Sequence, residues 1–282
     1  MAPTVVVIAM GEMGSAVGRR LRERGARVLT SLAGRGAASR ARAERAGLGI
    51  VADDVTLVAD ADFVLSIVPP GEAGAFAARM APALQQSNRR PVFVDCNAVS
   101  PPTMREVARL IAATGCPVVD AGIIGGPPRE GYDGPRFYAS GPQASAFAAL
   151  RDYGLDVRVV DETVGSASAL KLSYASLTKG LTALGAIAML GAERAGVAAA
   201  LRQELGESQP ALKAYLERQV PAMYAKAYRW VAEMEEIAAY LEGDPAGAAI
   251  YRGAARLFER LAREQAAQGP EIAMLKAFTA GD

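Results

Sequence analysis

The chain has 282 residues and nearly balanced charge, with 31 lysines and arginines against 30 aspartates and glutamates. This balance gives no global field that would attract nucleic acid, a membrane surface or a polyanionic partner, so we expect a small-molecule ligand. The sequence contains no histidine. Proton transfer near neutral pH must therefore fall to Lys, Tyr, Cys, Asp, Glu or water, and we expect no metal site.

Cysteine content and hydropathy predict where the protein works. The two cysteines, Cys96 and Cys116, and the lack of a basic leader before the apolar run at residues 4–10 favour a reducing cytoplasm. The longest apolar stretch, residues 181–192, is too short and too rich in glycine and alanine to predict a membrane span. We expect a soluble, cytoplasmic protein.

Short β-branched runs alternate with Ala/Arg-rich amphipathic runs up to residue 161, which is typical of βαβ units around a parallel sheet. The predicted strands are residues 5–8, 27–31, 49–51, 63–68, 92–95, 118–121 and 157–160. Residues 136–140 are predicted to add an antiparallel edge. The pattern predicts a doubly wound α/β Rossmann domain over residues 1–161.

A turn typical of dinucleotide-binding proteins follows the first predicted strand. Residues 9–16 match G-x-G-x-x-G/A, except that alanine replaces the first glycine. Gly11 would let backbone N–H groups approach a pyrophosphate, and Gly14 would let the next helix pack close to the strand. We expect the cofactor phosphates at Gly11, Glu12, Met13 and Gly14, where the helix begins. An ordinary strand-to-helix turn is the alternative.

The end of the second predicted strand indicates which dinucleotide binds. An NAD site usually places Asp or Glu there to hold the ribose 2′-hydroxyl, but residues 30–36 contain neither and offer Ser31 and Arg35. A hydroxyl and a guanidinium suit a 2′-phosphate. We therefore predict NADP(H); a solvated arginine on a loop is the alternative.

Further candidates follow two later strands. Val68, Pro69 and Pro70 end the fourth predicted strand and Asn97 follows the fifth, at the carboxyl edge where open α/β sheets place ligands. We expect these residues to line the ribose and nicotinamide pocket, with Asn97 also orienting the substrate. The prolines are equally consistent with ordinary loop chemistry.

The strand pattern ends after residue 161. Residues 163–195 predict one long helix of small and apolar residues, followed by further helices. Predicted helix starts or breaks fall at Pro210, Pro221, Pro245 and Pro270. Residues 162–282 are therefore predicted to form an all-α second domain.

Lys171 in the long helix is the candidate acid/base. No acidic residue lies between residues 163 and 192, so Lys171 and Lys179 find no carboxylate three or four positions away. A lysine buried among small residues has a lowered pKa, and it can exchange the proton that a carbonyl oxygen needs during hydride transfer. A lysine that reaches the helix surface or forms an interdomain ion pair is the alternative.

Four motifs follow one another along almost the whole chain. They are G-x-M-G at residues 11–14, V-D-x-x-x-x-x-P at 94–101, D-A-x-x-x-G-G at 120–126, and Gly165 followed by Lys171. In this order they resemble the β-hydroxyacid dehydrogenase family, which is related to 6-phosphogluconate and 3-hydroxyisobutyrate dehydrogenases. The resemblance implies that Lys171 is the catalytic acid/base, that the glycine pair helps to hold the substrate, and that the protein is a homodimer through its helical domain.

The chain departs from that family where the substrate is held. The family's D-x-S-T is D-C-N-A at residues 95–98, and D-A-P-V-S-G-G is D-A-G-I-I-G-G at residues 120–126. Hydroxyls and amides that would hold a carboxylate are missing, so we expect a substrate that is larger, less acidic or not a carboxylate. Arg129 or Tyr132 in the following loop is a candidate replacement, unless that loop is simply solvated. The residues expected to line the substrate pocket are Ile124, Gly125, Gly126 and Tyr174.

Three functions are consistent with this sequence. The first is NADP(H)-dependent oxidation of an alcohol or reduction of the carbonyl, with Lys171 as general acid/base. The second is an imine reductase, which Ile124 and Tyr174 favour, although such enzymes commonly have Asp or Tyr at the lysine position. The third is a non-catalytic NADP-binding protein, which the altered substrate segment permits.

Overall fold

A computed structural model of the chain describes residues 2–280. Its internal contacts divide the chain into two units, Met1–Leu172 and Ser173–Asp282. The boundary predicted between residues 161 and 162 differs from this division. The reason is that the start of the long helix is hydrogen-bonded to the sheet through Asp120, so its first turns belong to the first unit.

Within residues 2–280, eight strands form one sheet in the order β3-β2-β1-β4-β5-β6-β7-β8. The strands are β1 (Thr4–Ile8), β2 (Arg27–Ser31), β3 (Gly49–Val51), β4 (Phe63–Ser66), β5 (Val92–Asp95), β6 (Val118–Ile124), β7 (Arg136–Ser140) and β8 (Asp156–Val159). Neighbours run parallel except β6 and β7. This confirms the doubly wound α/β fold. β7 is antiparallel as predicted, but it is not an edge strand, because β8 pairs along its other side.

Helices cover both faces of this sheet. They are α1 (Glu12–Glu23), α2 (Ala37–Arg45), α3 (Asp54–Val58), α4 (Ala73–Gln86), α5 (Pro101–Ala112) and α6 (Ala144–Phe147). Side chains alternate along β1, so Val5 and Val7 pack in one core with α1 and α2. Val6 and Ile8 pack in the other core with α4 and α5. Burial on both faces explains the continuous apolar run of this strand.

The second unit is helical, as predicted. Its helices are the remainder of α7 (Ser166–Arg194), then α8 (Ala198–Ser208), α9 (Pro210–Met223), α10 (Ala227–Tyr240), α11 (Pro245–Ala267) and α12 (Pro270–Ala280). Three of the four prolines begin helices, because the first helical position needs no N–H donor. Pro221 lies inside α9.

Helix α7 is unusually long and apolar. By length and composition it could cross a membrane, with mean hydropathy 1.3 over its most apolar window. Half of that window is buried inside the protein. The core helix of a soluble protein meets the same criteria of length and hydropathy.

Candidate functional site

The turn between β1 and α1 uses its two glycines differently. A Cβ atom added at Gly14 would overlap the backbone carbonyl oxygen of Ala9, so glycine is required for α1 to lie this close to the end of β1. A Cβ atom at Gly11 would meet no other atom within 4 Å. Gly14 therefore serves the packing of the turn, whereas Gly11 borders open space at the start of the helix.

The N-terminus of α1 suits an anion. Gly11 is its N-cap residue and has no side chain with which to cap the helix. In contrast, α5 and α11 are capped by Ser100 and Asp244. The first N–H groups of a helix have no partner within it. Those of Glu12, Met13 and Gly14 are accordingly suited to bind a pyrophosphate beside the open space at Gly11.

The residues predicted to hold a 2′-phosphate lie at the end of β2. Ser31 is buried, and its Oγ accepts a hydrogen bond from the Ala33 N–H at 3.4 Å. Arg35 is partly exposed, and its Nη2 lies 3.4 Å from Oε2 of Glu72, which follows β4. Because β1 lies between β2 and β4, this ion pair joins the loops on both sides of the glycine turn. Sequence analysis missed Glu72, since a pair between distant loops leaves no spacing pattern.

The structure brings Asn97 and Val68 together. The Asn97 Oδ1 accepts a hydrogen bond from the Val68 N–H at 2.7 Å, and its Nδ2 donates to Ser66 Oγ and to Asp95 Oδ2, both at 2.9 Å. Only 4% of Asn97 is exposed. These bonds fix the loop after β4, with its two prolines, to the loop after β5. The geometry favours a positioning role for Asn97, and direct contact with a substrate stays a prediction.

Two buried carboxyl groups lie side by side on β5 and β6, where Asp95 pairs in register with Asp120. Burial, together with the nearby charge of Asp120, raises the pKa of Asp95 to about 7, although two hydrogen bonds from Asn97 lower it. Burial also raises the pKa of Asp120, although four hydrogen bonds stabilise its ionised form and so lower the pKa. In a chain without histidine, Asp95 is thus a group that titrates near neutral pH.

Asp120 connects β6 to the start of α7. Its carboxylate accepts hydrogen bonds from the N–H of Gly165 at 2.9 Å, from the N–H and Oγ of Ser168 at 3.0 and 2.7 Å, and from Ser140 Oγ at 3.1 Å. Ser140 Oγ in turn accepts a hydrogen bond from the Ala167 N–H at 3.0 Å. In the sequence, Asp120 is recognisable only as the first residue of a motif. Its partners lie too far along the chain to be predicted from spacing.

Lys171 lies against β6 in the predicted substrate segment. A Cβ atom added at Gly122 would lie 2.8 Å from the Lys171 Cβ and 3.0 Å from the Ala167 carbonyl oxygen. Gly122 therefore permits the close approach of α7. Ile124 is two residues further along β6 and lies on the same face of the sheet. Lys171 itself is half-buried, and its contact with Gly122 lies within the predicted substrate segment.

The loop between β6 and β7 brings a hydroxyl group to the glycine pair. Gly125 has a φ of +120°, and a Cβ atom there would overlap the Tyr132 hydroxyl. The Arg129 guanidinium lies 5.6 Å from the centre of the Tyr132 ring. Arg20 of α1 donates hydrogen bonds to the carbonyl oxygens of residues 132–134. The loop is therefore anchored, with the Tyr132 hydroxyl beside Gly125 and the Arg129 guanidinium beside the Tyr132 ring.

Two further α7 residues singled out from the sequence belong to the second unit. Tyr174 follows Lys171 by three residues and is 50% exposed. Lys179 forms an ion pair with Glu233 of α10, and its Nζ lies 5.1 Å from the centre of the Trp230 ring. Lys179 is therefore an ion-paired lysine, but its partner lies in the same unit, whereas the predicted alternative was an ion pair between domains.

Family models match both parts of the chain. Residues 4–153 match the NAD binding domain of 6-phosphogluconate dehydrogenase, and residues 192–261 match a domain of unknown function (DUF1932). An uncharacterized 28.5 kDa protein of Methanothermus fervidus, described by its position in the 7S RNA 5′ region, is 29% identical over 177 residues. That match spans 63% of this chain and 66% of the relative.

Solved structures share the fold over nearly the whole chain. A conserved protein of unknown function, with structural similarity to 3-hydroxyacid dehydrogenases, is 30% identical with a TM-score of 0.70, covering 94% of this chain and 99% of that one. A Mycobacterium tuberculosis 3-hydroxyisobutyrate dehydrogenase with L-serine is 19% identical with a TM-score of 0.75, covering 98% and 99%. An imine reductase from Myxococcus stipitatus in complex with NADP+ is 19% identical with a TM-score of 0.54, covering 99% of each chain. The last two likenesses concern the fold alone.

The glycine turn, the strand order and the match over residues 4–153 agree with one another. The relative that is 30% identical extends this agreement through the helical unit. The chain therefore belongs to the family that carries the NAD binding domain of 6-phosphogluconate dehydrogenase, as a divergent β-hydroxyacid dehydrogenase family member.

Proposed function

We propose that this protein is an NADP(H)-dependent oxidoreductase that interconverts an alcohol and its carbonyl compound, with Lys171 as general acid/base. The observation that carries the proposal is the packing of Lys171 against Gly122 of β6. β1, β4, β5 and β6 are parallel neighbours, so their carboxyl ends lie along one edge of the sheet. The glycine turn and the lysine segment therefore belong to the same edge.

Each group of residues has a defined task in this proposal. The bound NADP(H) supplies or accepts the hydride. The α1 N-terminus holds its pyrophosphate, Ser31 and Arg35 hold the 2′-phosphate, and Val68 to Pro70 with Asn97 form the wall that the Asn97 hydrogen bonds fix. During reduction, Lys171 Nζ donates a proton to the carbonyl oxygen as the oxygen becomes an alkoxide; during oxidation it accepts that proton.

The substrate proposed for this site has an apolar part and no requirement for a carboxylate. Ile124 replaces a hydroxyl donor, and its neighbourhood gains the Tyr132 hydroxyl beside Gly125. Imine reduction is the second candidate, because Ile124 is apolar where the family's motif has serine and Tyr174 adds an aromatic ring. A panel of ketones offered with and without methylamine separates the two: turnover that requires the amine supports imine reduction.

We expect NADPH to bind at least about tenfold tighter than NADH, a difference of about 1.4 kcal/mol. Arg35→Ala should remove most of this preference by weakening NADPH alone, because NADH lacks the 2′-phosphate. Glu72→Gln is the matched control: it removes the carboxylate that pairs with Arg35, so NADPH affinity should be retained or increased. Fluorescence titration of both dinucleotides provides the measurement, and equal affinities in the wild type would contradict this assignment.

We also propose a cytoplasmic homodimer, in which a second copy covers an apolar stripe on α7. In the second unit this stripe comprises Leu177, Leu181 and Leu184, and Leu177 is 73% exposed. Alternating steps of three and four residues produce a continuous seam between packed helices. A twofold axis would place the same stripe from two copies face to face.

Leu177→Asp is expected to convert the dimer into monomers, because it places a charge at the most exposed residue of the stripe. Sedimentation velocity at micromolar concentration measures the change. Val55→Asp, at an apolar residue that is 47% exposed in the first unit, is the matched control and should leave the dimer intact. A wild-type protein that sediments as a monomer would refute the proposed assembly.

A further inference from the structure

The Asp120 carboxylate occupies the junction between β6 and α7. It is 1% exposed, and three of the four hydrogen bonds it accepts come from Gly165 and Ser168 at the helix start. A helix N-terminus presents N–H groups without partners and a partial positive charge, both of which a carboxylate satisfies. A capping residue usually belongs to the helix's own chain segment. Here the carboxylate belongs to a strand, so the same bonds that cap α7 also fix it to the sheet.

A second contact lies beside the first. Asp120 and Gly122 are two residues apart on β6 and lie on the same face of the sheet. Their partners Ser168 and Lys171 are three residues apart on α7, so they also share a face. Asp120 is hydrogen-bonded to Ser168, and Gly122 is in close contact with Lys171. Two contacts on one strand thus fix both the position of α7 along its axis and its rotation about that axis, and α7 carries Lys171.

We infer that Asp120 is the positioning residue for Lys171: through Ser168 and Gly165 it holds the helix so that the lysine amine meets the reacting oxygen. This inference rests on the acid/base role proposed for Lys171. A proton donor acts only within hydrogen-bond reach of its target, and a displacement of about 1 Å can cost about a hundredfold in rate. Without the carboxylate, the donors of Ser140, Gly165 and Ser168 lose their shared acceptor, and the helix start is released.

The kinetic test compares kcat in Asp120→Ala and Asp120→Asn. Turnover is normalised to the concentration of NADPH-binding sites, which excludes unfolded protein from the comparison. Asp120→Ala should lower kcat at least about tenfold, while the Kd for NADPH stays within about twofold. Asp120→Asn should recover most of the loss, because its amide oxygen accepts the N–H bonds and its amide nitrogen donates to Ser168 Oγ. Wild-type kcat in Asp120→Ala, or an asparagine variant as slow as the alanine variant, would overturn the inference.

Two controls keep this test specific. Asp244→Ala removes a capping carboxylate from α11 and should leave kcat unchanged, which shows that loss of a cap alone is harmless. If Asp120→Ala does not fold, Ser168→Ala removes one of the four hydrogen bonds. The kcat of Ser168→Ala should be a few-fold below that of the wild type, with unchanged NADPH affinity. A wild-type kcat in this variant would contradict the positioning role of Asp120.

Lysine acetylation provides a readout that does not depend on turnover. N-acetoxysuccinimide modifies accessible amines, and peptide mass spectrometry gives the rate at Lys171 relative to the exposed Lys226. Release of the helix start in Asp120→Ala should raise the relative rate at Lys171 at least about threefold, whereas Asp120→Asn should resemble the wild type. An unchanged rate would refute the positioning role. A raised rate in a protein that turns over no substrate would instead refute the proposed function and leave the positioning role standing.

Discussion

Replacing Gly14 by alanine is expected to abolish NADPH binding and to lower the free energy of unfolding by at least about 2 kcal/mol. The added methyl group would overlap the Ala9 carbonyl oxygen, which is backbone and cannot rotate away. β1 is completely buried and Val17 and Leu21 of α1 are core residues, so the overlap is relieved only if α1 moves from the sheet. That movement carries the N–H groups of the helix start away from the pyrophosphate.

Gly11→Ala is the matched control for this prediction. Its methyl group would meet no protein atom within 4 Å, so the free energy of unfolding should stay at the wild-type value. The methyl group would, however, enter the open space at the helix start, and NADPH affinity should fall at least about tenfold. Urea unfolding and NADPH titration measure the two effects separately. Wild-type stability in Gly14→Ala would contradict the packing described for this turn.

Lys171→Ala is expected to lower turnover by about 10² to 10⁴ and to leave NADPH affinity unchanged. Lys171 contacts β6, whereas the pyrophosphate turn follows β1, and β4 and β5 lie between these strands. Lys171→Arg should be almost as slow, because a guanidinium keeps the charge but does not release a proton near neutral pH. Undiminished turnover in either variant would refute the acid/base role.

Much of the fold could be predicted because local patterns determine it. The observed bounds of β2, β3 and β5 equal the predicted ones, because runs of β-branched residues indicate them. The glycine turn comes directly after β1, as expected. β4 ends at Ser66, earlier than predicted, because the Val68 N–H bonds to the Asn97 side chain. β6 continues to Ile124, beyond its predicted end, because β7 pairs with this extension. Both differences depend on partners that are distant in the sequence.

The candidate site could be predicted less completely, for the same reason. Its glycines and Lys171 belong to local motifs and were identified. The carboxylate that fixes the Lys171 helix lies 48 residues from Ser168, and the Glu72 partner of Arg35 lies on a different loop. Spacing within one element cannot indicate such pairs. The partner of Lys179 likewise lies on a different helix, α10. The lack of acidic residues around Lys179 in α7 therefore could not indicate whether this lysine forms an ion pair.

Transfer of deuterium from NADPH labelled at nicotinamide C4 distinguishes an oxidoreductase that uses Lys171 from a protein that only binds the dinucleotide. Wild-type protein and Lys171→Ala are each incubated with the labelled dinucleotide and a panel of ketones and aldehydes, and mass spectrometry detects deuterium in the products. We predict that both bind NADPH equally, that the wild type transfers deuterium to the carbonyl carbon, and that the variant does so at least about a hundredfold more slowly. Tight NADPH binding without transfer to any acceptor would contradict the proposed oxidoreductase activity, and equal transfer rates in both proteins would contradict the acid/base role of Lys171.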